Sequence, residues 1–319
     1  MILNPEILTI YILDILFFIF ASIAFILSLR IFIWWDADST TEFQYTLEKE
    51  SYLGATIIKY IFSIKIPLFV FFIFTLDKIS DILNGAMCAA GVVNATDYGT
   101  YLLILKIVNL YIFAYWIVLN HEDVRYEKQR FVRLKFGIFI FAYILFLVEL
   151  VLEFKMFNAI DVKQVVDCCG VIYSSSAGSY MSIILNMKHS ILLSIFYVTF
   201  LFMALFYLIK NRYLYAISNI FFIPISLISL ISFFGTYIYQ MPTHHCPFCF
   251  LQRDYDYIGY LIYTLLFIGT FYGLVIGLIE FQKREIDKYY KLSFLFNSAY
   301  VLLVSYYPII YYFRNGVWL

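Results

Sequence analysis

Five cysteines mark where this chain can do chemistry: Cys88, the adjacent Cys168 and Cys169, and the two ends of Cys246-Pro247-Phe248-Cys249. A two-residue spacer holds two sulfurs close enough for a disulfide and, at the start of a helix, depresses the thiolate pKa. The positive end of a helix beginning shortly after the pair favours the thiolate further. Such a pair is suited to exchange rather than to static crosslinking. Five is an odd count, so two bonds leave one sulfur over, as a thiol that trades partners requires. A rival chemistry starts from His244 and His245, which precede the pair and offer nitrogen ligands to tetrahedral zinc. Their spacing matches no standard finger, and no second pair completes four ligands. The bland reading is that loop cysteines pack as small hydrophobes, and for Cys88 alone it is an even match for the chemical one.

The elements that must position these residues are membrane helices. Of 319 residues, 63% are hydrophobic and 14% charged, with a mean hydropathy of +0.85, whereas a soluble globule carries about 25% charged residues. The 22 basic and 22 acidic side chains cancel, which leaves no global positive field for nucleic acid, and the small polar remainder leaves no room for a second catalytic domain. The 35 Phe and 30 Tyr exceed what interfacial belts need, and no function is attached to them. Runs of about 20 apolar residues predict an all-α integral membrane protein of about eight transmembrane helices, near 9–34, 52–76, 99–119, 131–152, 180–209, 214–239, 257–279 and 292–313. The first is read as uncleaved, because no basic residue precedes it and it is too long for a signal-peptide core.

Lys and Arg set the expected orientation. With the N-terminus outside, twelve fall in cytoplasmic segments: Lys49, Arg125, Lys128, Arg130, Arg133, Lys135, Lys210, Arg212, Lys283, Arg284, Lys288 and Lys291. Six fall outside: Lys78, Lys155, Lys163, Lys188, Arg253 and Arg314. Both termini and every cysteine are then expected on the outer side, which in a bacterium is the oxidising periplasm bounded by the inner (cytoplasmic) membrane. Lys65 and Lys106 fall inside spans, where an unpartnered charge costs about 2.5–3.5 kcal/mol on insertion scales. Asp14 and Glu149 are the expected partners, while Lys59, near a helix end, is expected to snorkel.

Asp167-Cys168-Cys169-Gly170-Val171-Ile172-Tyr173-Ser174-Ser175-Ser176, followed by two apolar helices and a CxxC opening a third, resembles the vitamin K epoxide reductase family, including its bacterial disulfide-forming members. Cys168, Val171 and Ser174 keep the family's spacing of cysteine, valine and serine. The resemblance covers roughly 131–280 and implies that helices 4–7 form a four-helix redox bundle. On this division 1–130 is a three-helix region bearing the Cys88 loop, and 281–319 is a C-terminal transmembrane helix. Cys-Pro-Phe-Cys-Phe-Leu-Gln-Arg is also similar to the CxxCxxxR stretch of the quinone-dependent DsbB family, although the order of elements favours the first family. The chain departs from the pattern where the family has another loop cysteine about six residues earlier, since Val162 or Lys163 stands there. Cys88 is a candidate replacement. Its neighbours Gly91-Val92-Val93, Gly99 and Tyr101 echo Gly170-Val171-Ile172, Gly178 and Tyr180 at an offset of 79.

The resemblance implies that electrons pass from a separate, thioredoxin-like extracytoplasmic thiol protein through Cys88, Cys168 or Cys169 to Cys246. They would leave from Cys249 to a membrane quinone, ubiquinone or menaquinone. Arg253 would stabilise charge on the quinone oxygen or on the Cys249 thiolate, and Ser174 and Phe248 would line the pocket. Against this stand plainer roles: Arg253 with Asp254 and Asp256 as a solvated loop, and Ser174–Ser176 as a helix cap. Two other functions use the same residues. One is handling of a soft metal by Cys and His ligands, and the other is a non-catalytic subunit of a membrane complex.

Overall fold

The computed structural model describes residues 4–125, 129–163, 165–167, 187–279 and 283–319. Among them every regular element is helical. These are α1 (Pro5–Trp34), α2 (Glu42–Ser80), the short α3 (Ala89–Asn94), α4 (Gly99–Asp123), α5 (Val132–Ala159), α6 (His189–Ile209), α7 (Arg212–Ser229), α8 (Gly235–Tyr239), α9 (Ile258–Leu278) and α10 (Lys283–Asn315). A π-helical turn, Leu230–Phe234, joins α7 to α8. Eight helices among the described residues are long and apolar enough to cross a membrane, with α7 and α8 forming one of them. The chain is therefore an integral membrane protein.

The sequence dictates the shape of each span. In α1 the buried residues are Ile7, Ile10, Asp14, Phe17, Ala21, Ala24, Ser28 and Ile31, spaced alternately by three and four, the repeat of a stripe facing neighbouring helices. The opposite face, with Ile12, Ile15, Ile19, Ile23 and Ile26, is equally apolar and exposed. A helix apolar all round suits a lipid surround. Asn4 starts α1 by accepting the Glu6 and Ile7 N–H groups, with Pro5 at the first helical position. Thr41 caps α2, which starts at Glu42, ten residues before the expected start of the second span, because its polar first turns continue the helix beyond the apolar run. The fifth span is described from His189; residues 180–186, in its expected first part, lie outside the described residues.

Two compact units divide the chain. The first comprises 1–82 and 92–164, the second 83–91 and 165–319. This division groups the fourth span, α5, with the first three, whereas the resemblance implied a bundle of helices 4–7. Charge explains the grouping. Glu149 and Glu153 of α5 meet Lys65 of α2 and Lys106 of α4, and Lys65 also meets Asp14 of α1. Around these pairs Phe62 stacks on Phe113 and meets Trp116 and Phe139. The expected partners of the two lysines are thus the observed ones, with Glu153 in addition.

The second unit packs α6, α7, α9 and α10. Gly269 and Gly273 of α9 let Asn297 and Asn219 lie against the helix backbone, where a Cβ on either glycine would collide with the amide. Asn297 donates to Asn219 Oδ1 at 3.0 Å, Tyr215 donates to Ser293 at 2.9 Å, and Ser293 donates to the Gly269 carbonyl at 2.7 Å. In α7, Pro224 removes a backbone donor. Six residues later the ladder widens into the π turn, a distortion common near functional sites.

Candidate functional site

Residues 83–91, which follow α2 in sequence, belong to the second unit and carry Cys88 into it. Gly85 makes the turn at φ 90°, a conformation that L side chains avoid. Beside it the Val166 N–H donates to Asn84 O at 2.9 Å. The described residues just before Cys168 are thereby fastened to the Cys88 loop.

The other strand of the site follows α8. Gln240 ends that helix in the left-handed conformation, φ 56°, and the chain turns through 241–248 into a 3-10 turn over Cys249–Leu251. Tyr239 organises this loop. Its hydroxyl donates to the Cys246 carbonyl and accepts the Phe250 N–H at 3.1 Å. Its ring stacks on Phe250 and meets His244 and Tyr255 edge-on. From α9, the Tyr263 hydroxyl donates to Pro247 O at 2.7 Å, and Gln252 ties the turn to the Cys88 loop by donating to Met87 O at 3.0 Å.

These supports bring three sulfurs together. The Sγ atoms of Cys88, Cys246 and Cys249 all lie within 4.8 Å of one another, and Cys88 Sγ to Cys246 Sγ is 3.5 Å. Cys88 is wholly buried, and Cys246 and Cys249 nearly so. The Phe248 N–H points at Cys246 Sγ from 3.4 Å, a backbone donor placed to favour a thiolate there. Phe248, Phe250 and Leu251 are buried around the pair. A cluster of thiols in contact can exchange disulfides with small sulfur movements, or share a soft ion.

The remaining expected residues are placed differently. Arg253 is exposed on a second 3-10 turn, Arg253–Tyr255, with Asp254 beside it. Cys168, Cys169 and Ser174 lie outside the described residues, as does the later half of the Gly/Val echo. The histidines do not join the sulfur group. His245 Nδ1 donates to Ile231 O of the π turn at 3.0 Å, and burial holds its imidazole below the ordinary pKa. His244 packs on Tyr239, its Nε2 buried without a hydrogen-bond partner.

The sequence alone assigns no role to Tyr239, Tyr263 or Gln252. Nothing distinguishes two tyrosines among 30 in a linear reading, and the position of Tyr239 seven residues before Cys246 gains meaning only when the loop folds back. Comparison with family models, with curated proteins and with solved structures gives no match.

Proposed function

We propose that this protein is an integral-membrane thiol–disulfide oxidoreductase in which Cys88 is the loop cysteine that exchanges with Cys246, while Cys249 passes electrons to a membrane quinone. The observation that carries this reading is the burial of Cys88 against Cys246, residues 158 apart in sequence, with Cys249 in the same group. In the resting oxidised form Cys88 and Cys246 share a disulfide. A thiolate of a reduced extracytoplasmic partner attacks Cys88, forming a mixed disulfide and releasing the Cys246 thiolate. The partner's second thiol then breaks that bond and leaves oxidised. Cys246 and Cys249 next form their own disulfide, and the two electrons and two protons go to the quinone, which leaves as quinol. Attack of Cys88 on Cys246 restores the starting bond and frees Cys249. The net reaction converts one dithiol and one quinone into one disulfide and one quinol.

The site's own residues supply the control. Tyr239 and Tyr263 hold the Cys246-Pro247 backbone, so that Cys246 faces Cys88. The buried aromatic surround of Cys249 suits a lipid-soluble acceptor. Arg253, on the exposed rim, would stabilise negative charge arriving there. The cysteine loops follow the second, fourth and sixth spans, so with every span crossing once they share a side, and the basic-residue bias makes that side extracytoplasmic.

The test is quinone reduction by the full-length protein in lipid, driven by a reduced dithiol peptide. Cys249→Ser should abolish it while Cys88 and Cys246 still exchange, as read by intact mass after alkylation. Unaltered quinone reduction in that variant overturns the assignment. The three-sulfur geometry also favours one second reading, capture of a soft ion by thiolates. Thiols that quinone leaves reduced, but that bound zinc or copper(I) protects from alkylation, would establish it instead.

A further inference from the structure

The first unit holds a second site, independent of the thiol reading. Asp14 of α1, Lys65 of α2, Lys106 and Asn109 of α4, and Glu149 and Glu153 of α5 are all buried, none more than 7% exposed, within membrane-spanning helices. Glu149 is fully engaged: Oε1 accepts from Lys65 at 2.9 Å and from Lys106 at 2.8 Å, and Oε2 accepts from Asn109. Asp14 Oδ1 accepts from Lys65 at 2.8 Å. Glu153 Oε2 forms an ion pair with Lys106 Nζ at 2.5 Å, and its Oε1 is buried without a partner. Asp14 Oδ2 and Asn109 Oδ1 are likewise buried without one.

The charges do not balance. Three carboxylates against two ammoniums leave one negative charge in a low-dielectric interior, where an uncompensated ion costs several kcal/mol. One further cation is required. A metal ion would have to sit beside two ammonium groups, and the adjoining cavity lined by Lys65, Lys106 and Glu149 has room for about one water. A proton needs neither space nor a ligand shell. Glu149 has both oxygens engaged and Asp14 accepts from Lys65, whereas Glu153 holds Lys106 through Oε2 alone, so a proton on its buried Oε1 breaks no contact.

We propose that this cluster is an intramembrane proton-binding site, with the exchangeable proton on Glu153 and Lys65, Lys106, Asp14 and Glu149 as its fixed counter-charges. Tyr11 of α1 borders it, its ring against Phe154 and Phe157 and its hydroxyl buried without a hydrogen-bond partner. Glu153 is six residues from the end of α5 at Ala159, about 9 Å at 1.5 Å per residue. Towards the other end, the Phe62, Phe113, Trp116 and Phe139 rings close the core.

Infrared spectroscopy of the full-length protein in lipid nanodiscs tests this at neutral pH. Wild type should show a protonated-carboxyl C=O band that shifts when glutamate carries carbon-13 in its side-chain carboxyl. Glu153→Gln should lose the band. Lys65→Met, by removing one positive charge, should roughly double it. A missing band, a band unmoved by labelled glutamate, or one that survives Glu153→Gln overturns the proposal. So does a band that disappears when sodium replaces lithium at constant ionic strength, because a metal ion then fills the role. Should Glu153→Gln fail to fold, the isotope shift and the Lys65→Met response still decide.

Discussion

The two units solve the same problem, associating four apolar helices in lipid, with opposite materials. Among the described residues every buried charged side chain lies in the first unit: Asp14, Lys65, Lys106, Glu122, Asp123, Lys135, Glu149 and Glu153. The second unit uses neutral groups, with Asn219, Asn297, Ser293 and Tyr215 packed on the bare backbone of α9. Lipid is as apolar as the helix surfaces, so helices associate through close packing and interhelical polar contacts. Ion pairs add a demand that neutral amides do not: each charge must find its opposite, which fixes which helices are neighbours. The difference also bears on the chemistry. A thiolate formed at Cys246 has a backbone N–H beside it, from Phe248, and no buried cation among the described residues of its unit.

The sharpest way to separate the units is by activity. Cys246→Ser should eliminate dithiol oxidation, while Glu153→Gln should leave thiol exchange at the wild-type rate in a stopped-flow assay; comparable losses in both would mean that the units do not divide the work. Next in size, Glu149→Leu removes the carboxylate that Lys65 and Lys106 share, leaving Lys65 with Asp14 alone, Lys106 with Glu153 alone and the Asn109 amide unpaired, and should cost about 3 kcal/mol in reversible unfolding from mixed micelles, the lower end for breaking a buried pair. A cost under about 1 kcal/mol would contradict the charge-based account of the first unit. In the second unit Gly273→Ala presses a methyl into Asn219 and should cost about 1–3 kcal/mol, as overpacking does. Asn297→Ala should cost less, about 0.6 and at most about 1.7 kcal/mol, the range for polar contacts between membrane helices. If Asn297→Ala proved as damaging as Glu149→Leu, the contrast between ionic and neutral assembly would collapse.

The smallest effect expected is a pH dependence at His245. Burial lowers its folded pKa, so its neutral form is the one that folds best. Stability is fully present above the unfolded pKa of about 6.5 and declines as pH falls below it, until the folded pKa is passed. Melting curves of His245→Gln should be flatter than wild type in that acidic window and unchanged above it. Parallel pH profiles would show that the π-turn contact carries no protonation preference.

Much of this was legible in the chain itself. Composition and apolar run length determined a membrane protein of eight spans, because crossing a bilayer imposes a length and a polarity on every helix. Lys65 and Lys106 announced buried partners, and Asp14 and Glu149 answered as expected. Cys246 and Cys249 were found from spacing, which is a local property. The rest depended on contacts between distant segments. Spacing along the chain could not show that Cys88 meets Cys246; the Gly85 turn and the Gln252 tether bring the two together. Nor could hydropathy assign α5 to the first unit, since an apolar helix looks alike to every neighbour until its charges meet theirs. Tyr239 was hidden for the same reason: its two hydrogen bonds exist only once the loop has closed over it.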